Sequence, residues 1–261
     1  MLFERKRFLF FILFSTMLIS AQFIDAQGTA GTSARYEPRY LIDVPTAGMI
    51  PHGNLALDME VYRGGGLLTG LSLGAFDRLL IGISYGGSNI IGNEKPVWNT
   101  IPGFQFRVRL LNESVLLPAI ALGFDSQGKE VYDTALSRYT IKSMGFYAVA
   151  SKNYEVLGNL SFHGGINYSL ERADGDKDPN IFLGVEKSIG PMLSVLGDYN
   201  IGWNDSNHRA FGKGRGYLNG SIRLSVGKGF SVGMNVKDIL KNQQEISVGN
   251  RTLTLEYVNS L

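Results

Sequence analysis

From residue 54 to the end of the chain, apolar and polar residues alternate in one segment after another. Past residue 26 no apolar run is long enough to cross a bilayer as a helix. In 54–62, Leu55, Leu57, Met59 and Val61 share one face, opposite Asn54, Asp58 and Glu60. In 103–110, Phe104, Phe106, Val108 and Leu110 lie opposite Gln105, Arg107 and Arg109. The pattern recurs at 78–86, 159–171, 193–203, 218–226 and 230–237, and more weakly at 67–75, 116–124, 144–152, 181–187 and 252–258. Successive side chains of an extended strand point to opposite faces, so this period predicts strands with one apolar and one polar side.

These segments number about twelve and run roughly 8–13 residues. A tilted strand needs about 9–11 to cross hydrocarbon, whereas strands of soluble sheets run nearer 5–6. The polar faces carry Asp58, Glu60, Arg107, Arg109, Glu186, Asp198, Arg223 and Lys237, charges of both signs that an enclosed lumen can pair with one another. These eight are the candidate lumen-lining residues.

The connections point the same way. With the strands numbered in order, links after even strands are short (75–78, 111–114, 153–157, 188–191, 227–229). Links after most odd strands are long and polar (87–102, 125–143, 172–179, 204–215, 238–250), with 63–66 as the exception. Short turns on one rim and long loops on the other are the outer-membrane arrangement, and an even strand count leaves both termini on the turn side. The expected fold is all-β: a transmembrane antiparallel up-and-down barrel of about twelve strands, within a range of roughly 10–14.

The N-terminal segment fits export. Arg5, Lys6 and Arg7 precede an apolar run from Phe8 to Ile19, and small residues follow at Ser20, Ala21 and Ala26. This is the layout of a secretory signal peptide cut after Ala26 or Ala21, since a run of about a dozen residues is too short to anchor as a helix. Three regions are expected: a signal peptide at 1–26, an extended periplasmic or lumen-inserted segment at 27–52, and a barrel at 53–261. The chain has 33 glycines and no cysteine, which excludes a disulfide framework, a thiolate metal site and lipid attachment through an N-terminal Cys. A net charge of +2, evenly spread, gives no footprint for nucleic acid. Tyr62, Phe76, Tyr85, Phe124, Tyr147, Trp203 and Tyr257 fall near strand ends, where rings mark membrane interfaces.

Three stretches resemble the YjbH-like family of outer-membrane barrels associated with exopolysaccharide production. One runs from Leu41-Ile42 through Pro45-Thr46-Ala47 to Pro51-His52-Gly53, a second from Arg109-Leu110 to Pro118-Ala119-Ile120-Ala121, and the third is Tyr147-Ala148-Val149-Ala150-Ser151-Lys152. The chain is shorter than the larger members and lacks a lipidation Cys, so the resemblance implies a single-barrel version. It implies a part in secreting or retaining surface polysaccharide.

Other motifs weigh less. His163 lacks the His-x-Ser-Asn-Gly setting of barrel lipases and is expected to be a lumen polar residue. The loop 174–179 alternates carboxylates but has Pro179 where a calcium loop needs Gly, so a solvated hairpin tip is expected. Gly212-Lys213-Gly214-Arg215-Gly216 lacks the end of a P-loop and is expected to be a basic surface loop able to meet lipopolysaccharide phosphates, as are Lys95 and Arg209.

The residues predict a non-enzymatic outer-membrane barrel without catalytic residues, metal or cofactor, and the resemblance implies that it assists polysaccharide export or retention. The alternatives are a structural or adhesive barrel with a plugged lumen and, least favoured, a barrel lipid hydrolase. Expected partners are outer-membrane lipid and lipopolysaccharide, polysaccharide and the barrel-assembly machinery. The inward cations either line a path for an anionic or sugar substrate or pair with the inward carboxylates as a plug.

Overall fold

The computed structural model describes residues 31–32, 34, 36–244 and 249–260, so the expected signal peptide at 1–26 and the terminal Leu261 lie outside the described residues. The strands in chain order are β1 (Asn54–Tyr62), β2 (Gly66–Ala75), β3 (Leu79–Ser88), β4 (Val97–Trp98), β5 (Gly103–Leu111), β6 (Ala119–Asp125), β7 (Lys129–Asp133) and β8 (Arg138–Ile141). They continue as β9 (Gly145–Glu155), β10 (Asn159–Tyr168), β11 (Asn180–Ile189), β12 (Leu193–Asn200), β13 (Tyr217–Gly227), β14 (Phe230–Lys237) and β15 (Asn250–Ser260). Every neighbouring pair is antiparallel, and β15 closes on β1 in a register that sets Asn54 against Ser260 and Val61 against Leu253. Setting aside β4 and the separate β7–β8 hairpin, twelve strands form one closed barrel. A closed sheet has no unpaired edge, which is what allows strands to sit in hydrocarbon.

The alternation sorts the side chains as it predicts. Ile83 (52 % exposed), Phe104 (57 %), Leu183 (54 %) and Met234 (68 %) stand on the outside, whereas Arg107 (0 %), Asp198 (1 %) and Lys237 (1 %) are enclosed. An exterior this apolar around a polar interior inverts the soluble pattern and suits a lipid solvent.

The rims differ as the loop lengths require. The turn rim holds 76–78, 112–118, 156–158, 190–192 and 228–229; the other carries the long connections. Phe76-Asp77, Leu157-Gly158 and Lys228-Gly229 all adopt positive φ, the geometry that lets a two-residue turn match strand twist.

Several details depart from the sequence pattern. β10 stops at Tyr168 rather than 171, because Tyr168 pairs with both Gly145 and Phe146 in a bulge at which Gly145 has φ +62°. β12 stops at Asn200, and Trp203 belongs to a short 3-10 turn at Trp203–Asp205. The long loop 126–144 contains the β7–β8 hairpin, whose two short strands alternation did not single out. Among the aromatics, Tyr62 and Tyr147 point inward and are buried, Tyr62 donating to the Gly87 carbonyl, so they mark no lipid interface. Phe76, Tyr85, Trp203 and Tyr257 are exposed, as expected of interface rings.

Candidate functional site

The lumen is occupied by the chain's own N-terminal segment. At the turn rim, Gly31 N–H donates to Ser194 Oγ (2.9 Å) and Thr32 N–H to the Gly190 carbonyl (3.2 Å). Residues 36–40 then climb into the barrel, 41–44 turn, and 45–51 descend to the same rim, where His52 N–H meets Asp77 Oδ1 (2.7 Å). A bridge between Tyr40 and Pro45, and the bonds Leu41 N–H to Val44 O (3.0 Å) and Thr46 N–H to Arg39 O (3.1 Å), make this an irregular hairpin. Pro38, Pro45 and Pro51 suit such a segment, since each lacks the N–H that a regular ladder would need.

One side of the hairpin packs on an apolar wall inside the lumen. Leu41, Ile42, Val44 and Ala47 lie against Ala119 and Ala121 of β6, Tyr147 and Val149 of β9, Phe182 of β11 and Leu196 of β12. Lower down, Met49 and Ile50 pack with Ala56, Leu80 and Val258. Burying a side chain of Leu, Ile or Val contributes roughly 1.5–3 kcal/mol, so these contacts hold the hairpin in place.

Charges and dipoles fix its tip. Asp198 Oδ2 accepts the backbone N–H groups of Ile42 (3.0 Å), Asp43 (2.8 Å) and Val44 (3.1 Å), while its Oδ1 accepts Asn219 Nδ2 (2.8 Å). Lys237 Nζ bridges Asp43 (2.7 Å) and Glu60, which Lys129 also approaches at 3.7 Å. Arg223 donates to the carbonyls of Tyr40 (3.3 Å) and Leu41. Arg39 of the hairpin reaches across to Asp58 (2.5 Å) and Glu256 (2.7 Å). Further down, Arg107 donates to Gly48 O (2.8 Å) and to the Tyr147 hydroxyl (2.8 Å), and Arg109 binds Ala47 O and Glu37.

All eight candidate lumen residues therefore line the barrel interior. Asp58, Arg107, Arg109, Asp198, Arg223 and Lys237 bond the hairpin directly, Glu60 joins it through Lys237, and Glu186 is buried on β11 opposite Ser161 and Leu196. The sequence patterning missed Arg39, Asp43 and Glu256, along with the inward apolar wall. The available signal was the weakened alternation at 116–124, 144–152 and 181–187, where inward positions carry Ala121, Val149 and Phe182 instead of polar residues.

The hairpin leaves a polar cavity of about 110 Å³ on the opposite wall, lined by Arg39, Tyr40, Asp58, Gln105, Lys129 and Glu256 among others. That holds several waters. Above it the β7–β8 hairpin and the loops pack together over part of the mouth. Arg138, fully buried, pairs with Asp174 and Asp205 (both 2.6 Å) and stacks on Phe211, while Lys142 also reaches Asp174 (2.8 Å). Loop 174–179 is thus no solvated tip: Asp174 and Asp176 are buried, because one pairs with these cations and the other accepts Ser206 N–H (3.0 Å). Among the described residues no group of three His, Asp or Glu is placed to hold a metal ion. Beside it, Glu171 accepts Tyr139 N–H (3.0 Å) and Ser143 N–H (3.2 Å), and burial pushes its carboxyl up to about 7.

His163 lies on the interior wall of β10, with Nδ1 2.8 Å from Ser151 Oγ. Ser151 in turn accepts Ala47 N–H (2.8 Å), so the pair is roofed by the hairpin and serves as part of its seat.

The fold and site define a closed twelve-strand barrel stoppered by its own N-terminal hairpin. No family model and no curated protein matches the chain. Among solved structures it is similar to the KdgM porin (9 % identity, TM-score 0.46, 78 % of this chain and 98 % of that one). It is also similar to the NanC porin (10 %, 0.45, 79 % and 99 %) and to the outer membrane protein Omp33 of Acinetobacter baumannii (11 %, 0.41, 82 % and 99 %). The likeness carries no substrate across.

Proposed function

We propose that the chain is a bacterial outer-membrane channel for polar solutes, closed at rest by the hairpin at 36–51. One observation carries this. The inward charges of the wall are engaged with the backbone and side chains of a segment whose two ends both lie at the turn rim. Such a segment can leave toward the periplasm without threading, and its departure frees Arg107, Arg109, Arg223 and Lys237 to line the path beside Asp58, Glu60 and Asp198. Mixed charge on the wall favours hydroxyl-rich or zwitterionic solutes over ions of one sign. With the hairpin seated, the cavity that remains is about 110 Å³, too small for an oligosaccharide. Surface polysaccharide, which the resemblance to YjbH-like barrels implies as cargo, requires the hairpin to leave.

Liposome swelling with sugars of rising size tests the proposal. The full chain should admit monosaccharides at most, and a chain lacking 36–50 should admit oligosaccharides at a higher rate. Equal rates for both chains would refute a hairpin-closed channel.

A further inference from the structure

On the outer wall, where β12 to β15 meet β1, the surface is notched. Gly220, the outward-facing cross-strand partner of Gly197, lies in a groove walled by Val195, Ile222, Met234, Val236 and Leu253, with Ile239 folded over its upper end. A Cβ at Gly220 would meet only Ile239, at 3.5 Å, so the floor is open. The groove runs up to the loop rim, the side on which β13 begins at Tyr217 and β14 ends at Lys237.

Cations crown that end. Arg251 stands two residues above Leu253 on the outward face of β15, and Arg63 two residues beyond Val61 on β1; both line the groove. Arg251 is exposed, and Arg63 stays 39 % exposed while its Nε meets Glu130 (3.1 Å). On the same rim, though not lining the groove, the basic loop is tied to the loop that follows β14: Lys213 and Arg215 donate their backbone N–H groups to Asn242, and an Arg215 guanidinium nitrogen reaches Leu240 O (3.4 Å). Lys213, Arg215 and Lys241 are all exposed. Of the carboxylates described nearby, Asp205 and Asp238 are buried and bonded within the protein. Glu130, also buried, pairs with Arg63 Nε and offsets part of its charge, whereas no carboxylate among the described residues pairs with Arg215 or Arg251.

We infer that this groove and its arginine rim bind a phosphate-bearing acyl lipid of the outer leaflet, one chain lying over Gly220 and the phosphate held by Arg63, Arg215 and Arg251. The chemistry matches at both ends: an apolar trough at hydrocarbon depth and guanidinium forks at headgroup depth, where cations attract an anionic lipid surface. The inference rests on the outer-membrane reading but not on the channel being gated.

The test is native mass spectrometry of the full chain refolded in detergent, with diphosphoryl hexa-acyl lipid A as the probe and its dephosphorylated form as the comparison. Arg63→Gln/Arg215→Gln/Arg251→Gln should weaken the diphosphoryl lipid at least about tenfold and leave the dephosphorylated form unchanged. Gly220→Leu, which fills the trough, should weaken both. Parent-like binding by the triple variant or by Gly220→Leu would overturn the inference. So would displacement of the lipid by millimolar inorganic phosphate, which would make the rim a soluble-anion site. Folding is read separately from heat-modifiable gel mobility, and sugar permeability should be the same in all variants, so failure of the channel proposal and failure of the lipid site give different results.

Discussion

Asp198→Ala removes the single carboxylate that gathers three consecutive backbone N–H groups at the hairpin tip, at 2.8–3.1 Å. A hydrogen bond to a charged group contributes about 1.5–3 kcal/mol, and a buried donor left without a partner costs about 1–3 kcal/mol. The three bonds share one oxygen and are not additive, so the tip should lose about 3–5 kcal/mol of docking energy. At 1.4 kcal/mol per factor of ten, the undocked population rises roughly a hundredfold to a few thousandfold. The chain has no cysteine, so Val44→Cys places one thiol at a position that is fully enclosed when the tip is seated. Maleimide labelling of that thiol in proteoliposomes, with and without Asp198→Ala, reads the change directly. Barrel strands should be unaffected, and heat-modifiable mobility should match the parent. Labelling rates within threefold of each other would refute the claim that Asp198 holds the tip.

Other perturbations separate wall, cap and lipid face. Val195→Arg, on the outward face of β12, should impair assembly by about 2–4 kcal/mol, whereas Asp198→Asn should assemble normally and loosen only the tip; folded yield measures both. Arg138→Met leaves Asp205 buried without its cation and Asp174 with Lys142 alone, a cost of about 3–5 kcal/mol, and protease should then cut loops 169–179 and 201–216 faster. Glu171 titrates near 7 in the folded cap against 4.5 in the open chain, so the cap favours the protonated form. Its stability is then greatest at about pH 4.5 and below, falls as pH rises to about 7, and is lower by on the order of 3 kcal/mol above that. Hydrogen exchange of the Tyr139 and Ser143 amides, corrected for intrinsic rates, should show easier opening at pH 8 than at pH 5, and Glu171→Gln should flatten the dependence.

Much of this architecture was legible in the sequence because a membrane barrel makes each strand answer to lipid on one side. Leu57, Ile83, Phe104 and Met234 could stand only outward, and loop parity gave the rims without reference to any contact. The lumen was legible only in part. Inward positions are polar where they meet water or charge, but Val149, Phe182 and Leu196 are apolar because they meet the hairpin, and that weakened the alternation where the plug sits. Arg107, Arg109 and Arg223 were readable as inward cations. Their partners were not, since backbone carbonyls of 40–48 carry no side-chain signature. The β7–β8 hairpin escaped notice for a different reason. Strands of five and four residues give too few alternations to stand out, and their anchors, Asp174 and Asp205, are distant in sequence.

The claim that the hairpin stops the lumen is tested most directly by single-channel recording in planar bilayers. The full chain, a chain lacking 36–50, and that chain carrying Arg138→Met should be compared, each verified as folded by heat-modifiable mobility. The account predicts small or silent steps for the full chain, larger steps without the hairpin, and a further rise when the cap is loosened. Identical conductance in all three would contradict it.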